Sequence, residues 1–373
     1  MLKIVHVVGA RPNFMKIAPI MAAMSERPLQ FQQLLVHTGQ HYDANMSRIF
    51  FQELGLPQPD VYLGIGSGSH AEQTAKVMLA FEPILLTHQP DWVVVVGDVN
   101  STVACALTAA KLGIGVAHVE AGLRSFDWTM PEEINRVLTD RLSDVLFTTE
   151  PSANENLQRE GIAVERVHLV GNVMIDTLVR LLPQAEARWS LLQAELALAD
   201  YVLVTLHRPF NVDDPATLSQ IILALNEIAQ TMPVVFPAHP RTQKRIADGD
   251  DLPPLAEQVR LLPPQGYLDF LALTRHARLV LTDSGGIQEE TTFLGVPCVT
   301  VRPNTERPIT IEQGTNELVA STQAAVVMSV MARLNGRTPA ATRPPTFWDG
   351  AAAQRIVGVL ADGRFPPTSE AKK

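Results

Sequence analysis

At 373 residues, 46% of them hydrophobic and 18% charged, the chain is long enough for about two compact domains, each with its own core. Its formal net charge of −9 excludes a non-specific nucleic-acid binder and a basic membrane-docking surface, so an anionic ligand requires a locally positive site. Cys105 and Cys298 imply no disulfide framework or zinc cluster, "MLKIVHVVG" reads as a strand rather than a signal peptide, and no apolar run reaches membrane-spanning length; the cytoplasm is the expected compartment.

Short apolar runs alternate with helical stretches along the chain. Strands are predicted at 3–9, 32–37, 92–97, 115–120, 144–148 and 166–170, with helices at 12–24, 70–88, 101–112 and 131–142. After an Ala-rich helix at 173–197 the alternation restarts. Strands are predicted near 201–206, 233–236, 259–262, 278–282 and 297–301, and helices near 215–231, 241–247, 267–276 and 286–294. This pattern predicts an α/β fold of two doubly wound, Rossmann-like parallel-sheet domains. The first is expected over 1–171 and the second over 172–349, with a Pro-rich crossing segment at 338–350 and a last helix at 350–361. Ligands of such sheets bind beyond the carboxyl ends of the strands, and two such edges would face each other across a cleft.

The first corner, "VVGARPNFMK" (7–16), lacks the G-x-G-x-x-G of a dinucleotide site, which argues against a nicotinamide enzyme; no cofactor is expected. Pro12 suits the first helical position, which sets Arg11 at the cap and Lys16 a turn further on. They are either surface cations or ligands of a phosphate or carboxylate. Asp98 ends the apolar strand of "VVVVGDVNST" (93–102), where a catalytic acid would sit; alternatively Asp98 or Asn100 caps the next helix.

Glu120 in "AHVEAGLRS" (117–125) is flanked by strand residues that would bury it. A buried carboxylate is costly unless it is functional or paired, with Arg124 as the structural partner. Behind Pro131, Glu132 and Glu133 either suit the helix dipole with a Glu132–Arg136 pair, or deliver a third carboxylate to the cleft. "VTLHRPFN" (204–211) and "FPAHPRT" (236–242) repeat a strand–histidine–cation pattern with His207, Arg208 and His239; no spacing suits a metal. In "TDSGGIQEE" (282–290), Ser284 is a good N-cap, and Gly285 and Gly286 permit close approach of a phosphate to free helix N–H groups. The alternative is a plain cap followed by first-turn acids, Glu289 and Glu290.

Together "GARPNFMK", "TGQHYD", "GDVNST", "HVEAGLRS", "PEEINR", "LHRPFN", "FPAHP", "LTDSGGIQEE" and "TERP" resemble, in family order across about residues 3–315, the non-hydrolysing UDP-N-acetylglucosamine 2-epimerases. The resemblance implies a glycosyltransferase-B-like fold, a homodimer, a C-terminal helix within about 350–373 that returns to the first domain, and a UDP-sugar substrate. It also implies inversion at C2 by anti elimination of UDP to a 2-acetamidoglucal and re-addition. Asp98, Glu120 and Glu132 are then the acid and base candidates, with His207 near the phosphate. The Ser284-Gly285-Gly286 corner would hold the UDP phosphates and Glu290 the ribose hydroxyls, which explains a carboxylate beside an anion cradle. Arg11, Lys16, Gln40, His41, Arg136, Arg208, His239 and Arg307 would complete the substrate site.

Three positions depart from the family pattern. Many members have R-P-E, H-R-x-E-N and E-R-P-E, where this chain has Asn13, Phe210 and Ile309. A related branch with R-P-Q-F epimerises a UDP-2,3-diacetamido-glucuronic acid, which is the alternative substrate. An inverting glycosyltransferase on the same fold is the rival enzyme class. Gln40-His41-Tyr42-Asp43 stands where bacterial members often carry a Q-H-R that helps bind a second, activating substrate molecule.

Overall fold

The structure, a computed structural model, describes residues 1–39, 51, 53–249, 251–336 and 343–362, with the backbone alone at Arg11 and Asp248. The chain divides into two compact units, Met1–Val179 with the chain from Thr346 onward, and Arg180–Pro345.

The first unit holds a parallel sheet of β1 (Leu2–Val8), β2 (Phe31–His37), β3 (Val61–Tyr62), β4 (Trp92–Val96), β5 (Gly115–Ala121), β6 (Val145–Thr148) and β7 (Val167–Leu169). Their order is β3-β2-β1-β4-β5-β6-β7. Every residue of β4 and β5 is buried, as continuous apolar runs covered by helices on both faces require. The helices Arg11–Ser25, Pro131–Leu142 and Pro151–Arg159 each open with proline in the first turn, where the missing N–H costs nothing. His70–His88 is capped by Ser69, whose hydroxyl accepts from Glu72 N at 3.2 Å. Val5, Val7, Val93 and Val95 pack against Phe81, Leu85 and Ala104 to form this core. The final helix, Ala352–Ala361, packs on Arg11–Ser25, and Asp176 caps it by accepting from Ala352 N and Ala353 N at 3.1 and 2.6 Å.

The second unit repeats the plan with β8 (Val202–Thr205), β9 (Val234–Pro237), β10 (Val259–Leu262), β11 (Leu279–Thr282), β12 (Cys298–Val301) and β13 (Asn316–Val319). Their order is β10-β9-β8-β11-β12-β13, again parallel throughout. Val202, Val204, Leu279 and Leu281 meet Ile221, Leu225 and Ile228 of the helix Pro215–Ala229 in its core. In each sheet the chain direction of winding reverses once, between β1 and β4 and between β8 and β11, and side chains at those carboxyl ends share a crevice position.

The α/β reading of both halves holds. Among the described residues, β3, the edge strand β13, the helices Pro151–Arg159 and Gln323–Leu334, and the short helices Val164–Arg166, Pro209–Val212 and Ile309–Glu312 escaped it. β3 is two residues long, and β13 ("NELV") has a single fully buried residue, Asn316, so neither shows an apolar run.

Candidate functional site

The first unit builds its site on the turns after β1, β4 and β5. After β1 the chain turns at Gly9, where a Cβ would lie 2.4 Å from Ser101 Oγ and 2.8 Å from Thr38 Oγ1, so only glycine fits between those two hydroxyls. Asn13, 2% exposed, fixes this turn: its Oδ1 accepts from Gly9 N and Ala10 N at 3.1 and 2.9 Å, and its Nδ2 donates to Val96 O at 3.1 Å. One turn later Lys16 reaches inward, and its Nζ pairs with Glu120 Oε2 at 2.7 Å with both side chains almost fully buried. Arg124, the expected structural partner of Glu120, instead forks onto Glu160 and pairs with Asp140 at 2.7 Å.

Glu120 carries a left-handed backbone, φ 70°, and the β5–β6 register shifts between Val119 and Ala121. Such a bulge re-aims one side chain at a local cost of about 1–3 kcal/mol. What holds it is Asp140, which grips both sides: Oδ1 lies 2.6 Å from His118 Nδ1, and Oδ2 accepts from Gly122 N at 3.0 Å. The other ring nitrogen, His118 Nε2, donates to Gly97 O at 2.8 Å and so ties the β5 bulge to the turn after β4. Burial would raise the Asp140 carboxyl, but His118 and Arg124 together hold it below the usual carboxylate range. Neither His118 nor Asp140 was singled out from sequence. The period-2 alternation of His118 and Glu120 on one strand was the available signal.

Gly97 (φ 66°) ends β4; a Cβ there would sit 2.9 Å from Lys16 Nζ, so the glycine makes room for that cation. Asp98 follows and pairs with Arg136 at 2.5 Å, its side chain one-quarter exposed. It does not cap the helix Asn100–Lys111, which has no side-chain cap. Arg136 is paired at 2.5 Å with Glu133 rather than with Glu132. Glu133, 1% exposed, also accepts from Ser125 N, Ser125 Oγ and Phe126 N at 2.9 to 3.0 Å, and so pins the preceding loop onto the helix Pro131–Leu142. Glu132 is half-buried and makes no ion pair or hydrogen bond among the described residues. The expected Glu132–Arg136 pair is therefore corrected: Glu133 holds Arg136, and it occupies the third helical position, from which a side chain reaches back to the loop before the helix.

The second unit builds on the corners after β8 and β11. Ser284 begins the helix Gly285–Leu294 without a side-chain cap bond, and a Cβ on Gly285 would lie 2.6 Å from Arg307 Nη1. The guanidinium thus stands directly behind the corner. It is held there by Glu289 (2.8 Å from Nε) and by Glu306, which in turn pairs with Arg302 at 2.8 Å. Both Glu289 and Glu290 fall in the second helical turn, not the first, which corrects the dipole reading. Glu290 is 2% exposed and accepts from Tyr267 Oη at 3.0 Å. Its Oε2 is buried and finds no hydrogen-bond partner among the described residues. Burial, with Glu289 alongside, pushes its carboxyl up to about 7 despite the bond from Tyr267. The adjacent glutamates therefore divide: one anchors an arginine, the other keeps an acceptor available in a dry setting.

At the β8 corner His207 is half exposed, and its Nδ1 lies 3.1 Å from Asp283 Oδ1. Asp283 itself is fully buried at the end of β11, accepting from His207 N, Arg208 N and Asn211 Nδ2. Burial opposes its charge, but those donors and the His207 ring hold its carboxyl below the ordinary value. Arg208 Nε is buried without a partner among the described residues. His239 is exposed and caps the helix Pro240–Asp248 through Nδ1, which accepts from Arg241 N at 3.2 Å. The side chain of Arg11, and Gln40 and His41 altogether, lie outside the described residues.

The geometry belongs with known proteins. The UDP-N-acetylglucosamine 2-epimerase family profile matches residues 22–361. A crystal structure of the Methanocaldococcus jannaschii UDP-GlcNAc 2-epimerase, in complex with UDP-GlcNAc and UDP, aligns with TM-score 0.87 at 42% identity, covering 97% of this chain and 100% of that one. A UDP-2,3-diacetamido-2,3-dideoxy-D-glucuronate 2-epimerase of Pseudomonas aeruginosa is 42% identical over 363 residues, 96% of this chain and 99% of its own. At 15% identity a spinosyn rhamnosyltransferase shares the fold alone, with TM-score 0.52 over 100% of this chain and 99% of that one, in keeping with a glycosyltransferase-B-like fold.

Proposed function

The chain belongs to the UDP-N-acetylglucosamine 2-epimerase family, and we propose that it inverts C2 of a UDP-N-acetylhexosamine, interconverting UDP-GlcNAc and UDP-ManNAc. The C2 proton neighbours an acetal carbon and is not acidic, so bare deprotonation is too slow. Anti elimination removes the difficulty. A carboxylate takes the C2 proton as the C1–O bond breaks, UDP leaves with the bonding electrons, and a 2-acetamidoglucal remains. Protonation of the opposite face of C2 and return of UDP to C1 give the epimer, with no net oxidation.

The observation that carries this reading is the pair Asp98 and Glu120. They are carboxylates at the carboxyl ends of adjacent strands, each matched to one buried cation, Arg136 and Lys16. Positioned general acids and bases of this kind are worth about 10²–10⁴ in rate. Glu132 is the third candidate. The reading assigns the nucleotide to the second unit. The N–H groups of Gly285 and Gly286 and the Ser284 hydroxyl take phosphate oxygens, Ser284 N being already given to Thr282 Oγ1 at 3.0 Å, with Arg307 behind them and Arg208 and His207 alongside, and Glu290 Oε2 takes the ribose hydroxyls. His239, Arg11, Gln40 and His41 are assigned to substrate binding.

A specific observation supports a second substrate. Asn13 sets a neutral amide, where many family members have a carboxylate, beside the same Gly97 that borders Lys16. That leaves the local charge less negative and suits a uronate, as does the 42% identity to the diacetamido-glucuronate enzyme. We place the protein in the cytoplasm as a homodimer. Among the described residues no helix is long and apolar enough to cross a membrane, and Leu79, Leu86, Ile134 and Leu138 expose 40 to 74% of their surface on two helices of one unit. Light scattering that returns a monomer mass would sink the dimer.

Incubation with UDP-GlcNAc and, separately, UDP-2,3-diacetamido-glucuronate, followed by proton NMR, tests the assignment. Conversion of UDP-GlcNAc to a mixture containing UDP-ManNAc is expected. Conversion of the uronate alone would establish the second reading, and conversion of neither would overturn both.

A further inference from the structure

We propose that Asp283 is a positioning residue that fixes which nitrogen of His207 carries the ring proton; the inference rests on the assignment of His207 to the nucleotide's diphosphate. The carboxylate is fully buried and surrounded by donors. Oδ1 faces the His207 ring at Nδ1 and accepts from His207 N, while Oδ2 accepts from His207 N, Arg208 N and Asn211 Nδ2. An ionised carboxylate only accepts, so Nδ1 is the N–H and the exchangeable position is Nε2, on the far side of the half-exposed ring. Arg208 shares the corner, and its main-chain N–H is already spent on Asp283. Asn211 locks the arrangement from the other side: it donates to Val301 O at 3.0 Å and accepts from Ser321 Oγ at 2.8 Å. The ring cannot change tautomer without leaving Asp283 Oδ1 facing a lone pair.

The consequence follows from counting acceptors. Asp283→Asn keeps one acceptor oxygen for two clusters of donors. Arg208 N and Asn211 Nδ2 cannot turn away, so the amide oxygen takes their side and the amide N–H₂ faces His207 Nδ1. The ring must then accept at Nδ1 and carry its proton on Nε2. Its outward nitrogen becomes a fixed donor rather than one that gains and loses a proton with the leaving and returning diphosphate.

The test combines a spectroscopic readout with a kinetic one. In histidine-labelled protein, two-bond proton–nitrogen correlations at alkaline pH identify the neutral tautomer, with His207 assigned by its loss in His207→Gln. The wild type is expected to show the Nδ1–H form and Asp283→Asn the Nε2–H form. Turnover in Asp283→Asn should fall by about 10²–10⁴-fold. Adding Asp283→Asn to His207→Gln should cost little more, since the two act as a unit. A wild-type His207 in the Nε2–H form overturns the proposal without any variant, so a poorly folding Asp283→Asn does not leave it open. A double variant that loses the full product of the single losses overturns it as well. Absence of turnover in the wild type would sink the proposed reaction, while the tautomer measurement would still decide the role of Asp283.

Discussion

The two units use the same sheet order and the same crevice position, yet they treat charge in opposite ways. In the first unit the carboxylates around the turns after β4 and β5 are matched: Glu120 by Lys16, Asp98 and Glu133 by Arg136, Asp140 by His118 and Arg124, whereas Asp176, at the final helix, has backbone N–H donors and is pushed up to about 6 by burial. A lysine or arginine nitrogen stands 2.5 to 2.7 Å from each of these matched carboxylates. In the second unit one carboxylate, Glu290, has only a tyrosine hydroxyl, and burial lifts its carboxyl to about 7. The lesson is chemical. Proton transfer needs ionised groups held at fixed positions, whereas recognition of neutral hydroxyls needs an acceptor left with spare capacity.

The largest effect that would break this contrast lies in the first unit. Asp98→Asn and Glu120→Gln keep shape but cannot carry a proton, and each should lower turnover by about 10²–10⁴-fold with UDP affinity retained. Steady-state kinetics with calorimetry checks this, and a variant with near-normal kcat would remove that carboxylate from the chemistry.

Next in size is Glu290→Ala, which should weaken UDP binding by about 1.5–3 kcal/mol through loss of a charge-assisted bond to the ribose. Here pH sharpens the comparison. A folded-state value of about 7 stands above the ordinary 4.5, so the stabilising contribution of the protonated form is present at low pH and is lost as pH rises through about 7. Nucleotide-free protein should therefore lose some thermal stability between those values, while UDP binding gains. Glu290→Gln should flatten both trends; unchanged slopes would mean that another group carries them.

Gly285→Ala should cost about 1–3 kcal/mol of UDP affinity, because its methyl meets an Arg307 guanidinium that Glu289 and Glu306 hold in place. Full affinity in calorimetry would show that Arg307 can move aside. Smallest is a difference between neighbours. Glu133→Gln should lower stability by about 1–3 kcal/mol, since it removes a charge from a buried network, while Glu132→Gln should leave the melting temperature alone and reduce kcat. Equal melting temperatures for Glu133→Gln and wild type would contradict the network.

Much of this was legible in the residues. Apolar runs ending in Asp98, Glu120 and Thr282 marked the strand ends, and the glycines at 285–286 marked a corner. What sequence alone hid was pairing at a distance. Lys16 lies over one hundred residues from Glu120 in the chain, and nothing local selects it over Arg124. The left-handed Glu120 was hidden too, because bulges depend on the neighbouring strand's register rather than on composition. Glu133 and Glu132 look equivalent as first-turn acids, and only the loop at Ser125 and Phe126 separates them.

The central claim is that paired carboxylates of the first unit move the C2 proton. Turnover of UDP-GlcNAc in D₂O, followed by NMR of both recovered nucleotide sugars, tests it most directly. The account predicts deuterium at C2 of UDP-ManNAc and of the remaining UDP-GlcNAc. UDP-ManNAc formed with its C2 protium wholly retained would contradict it.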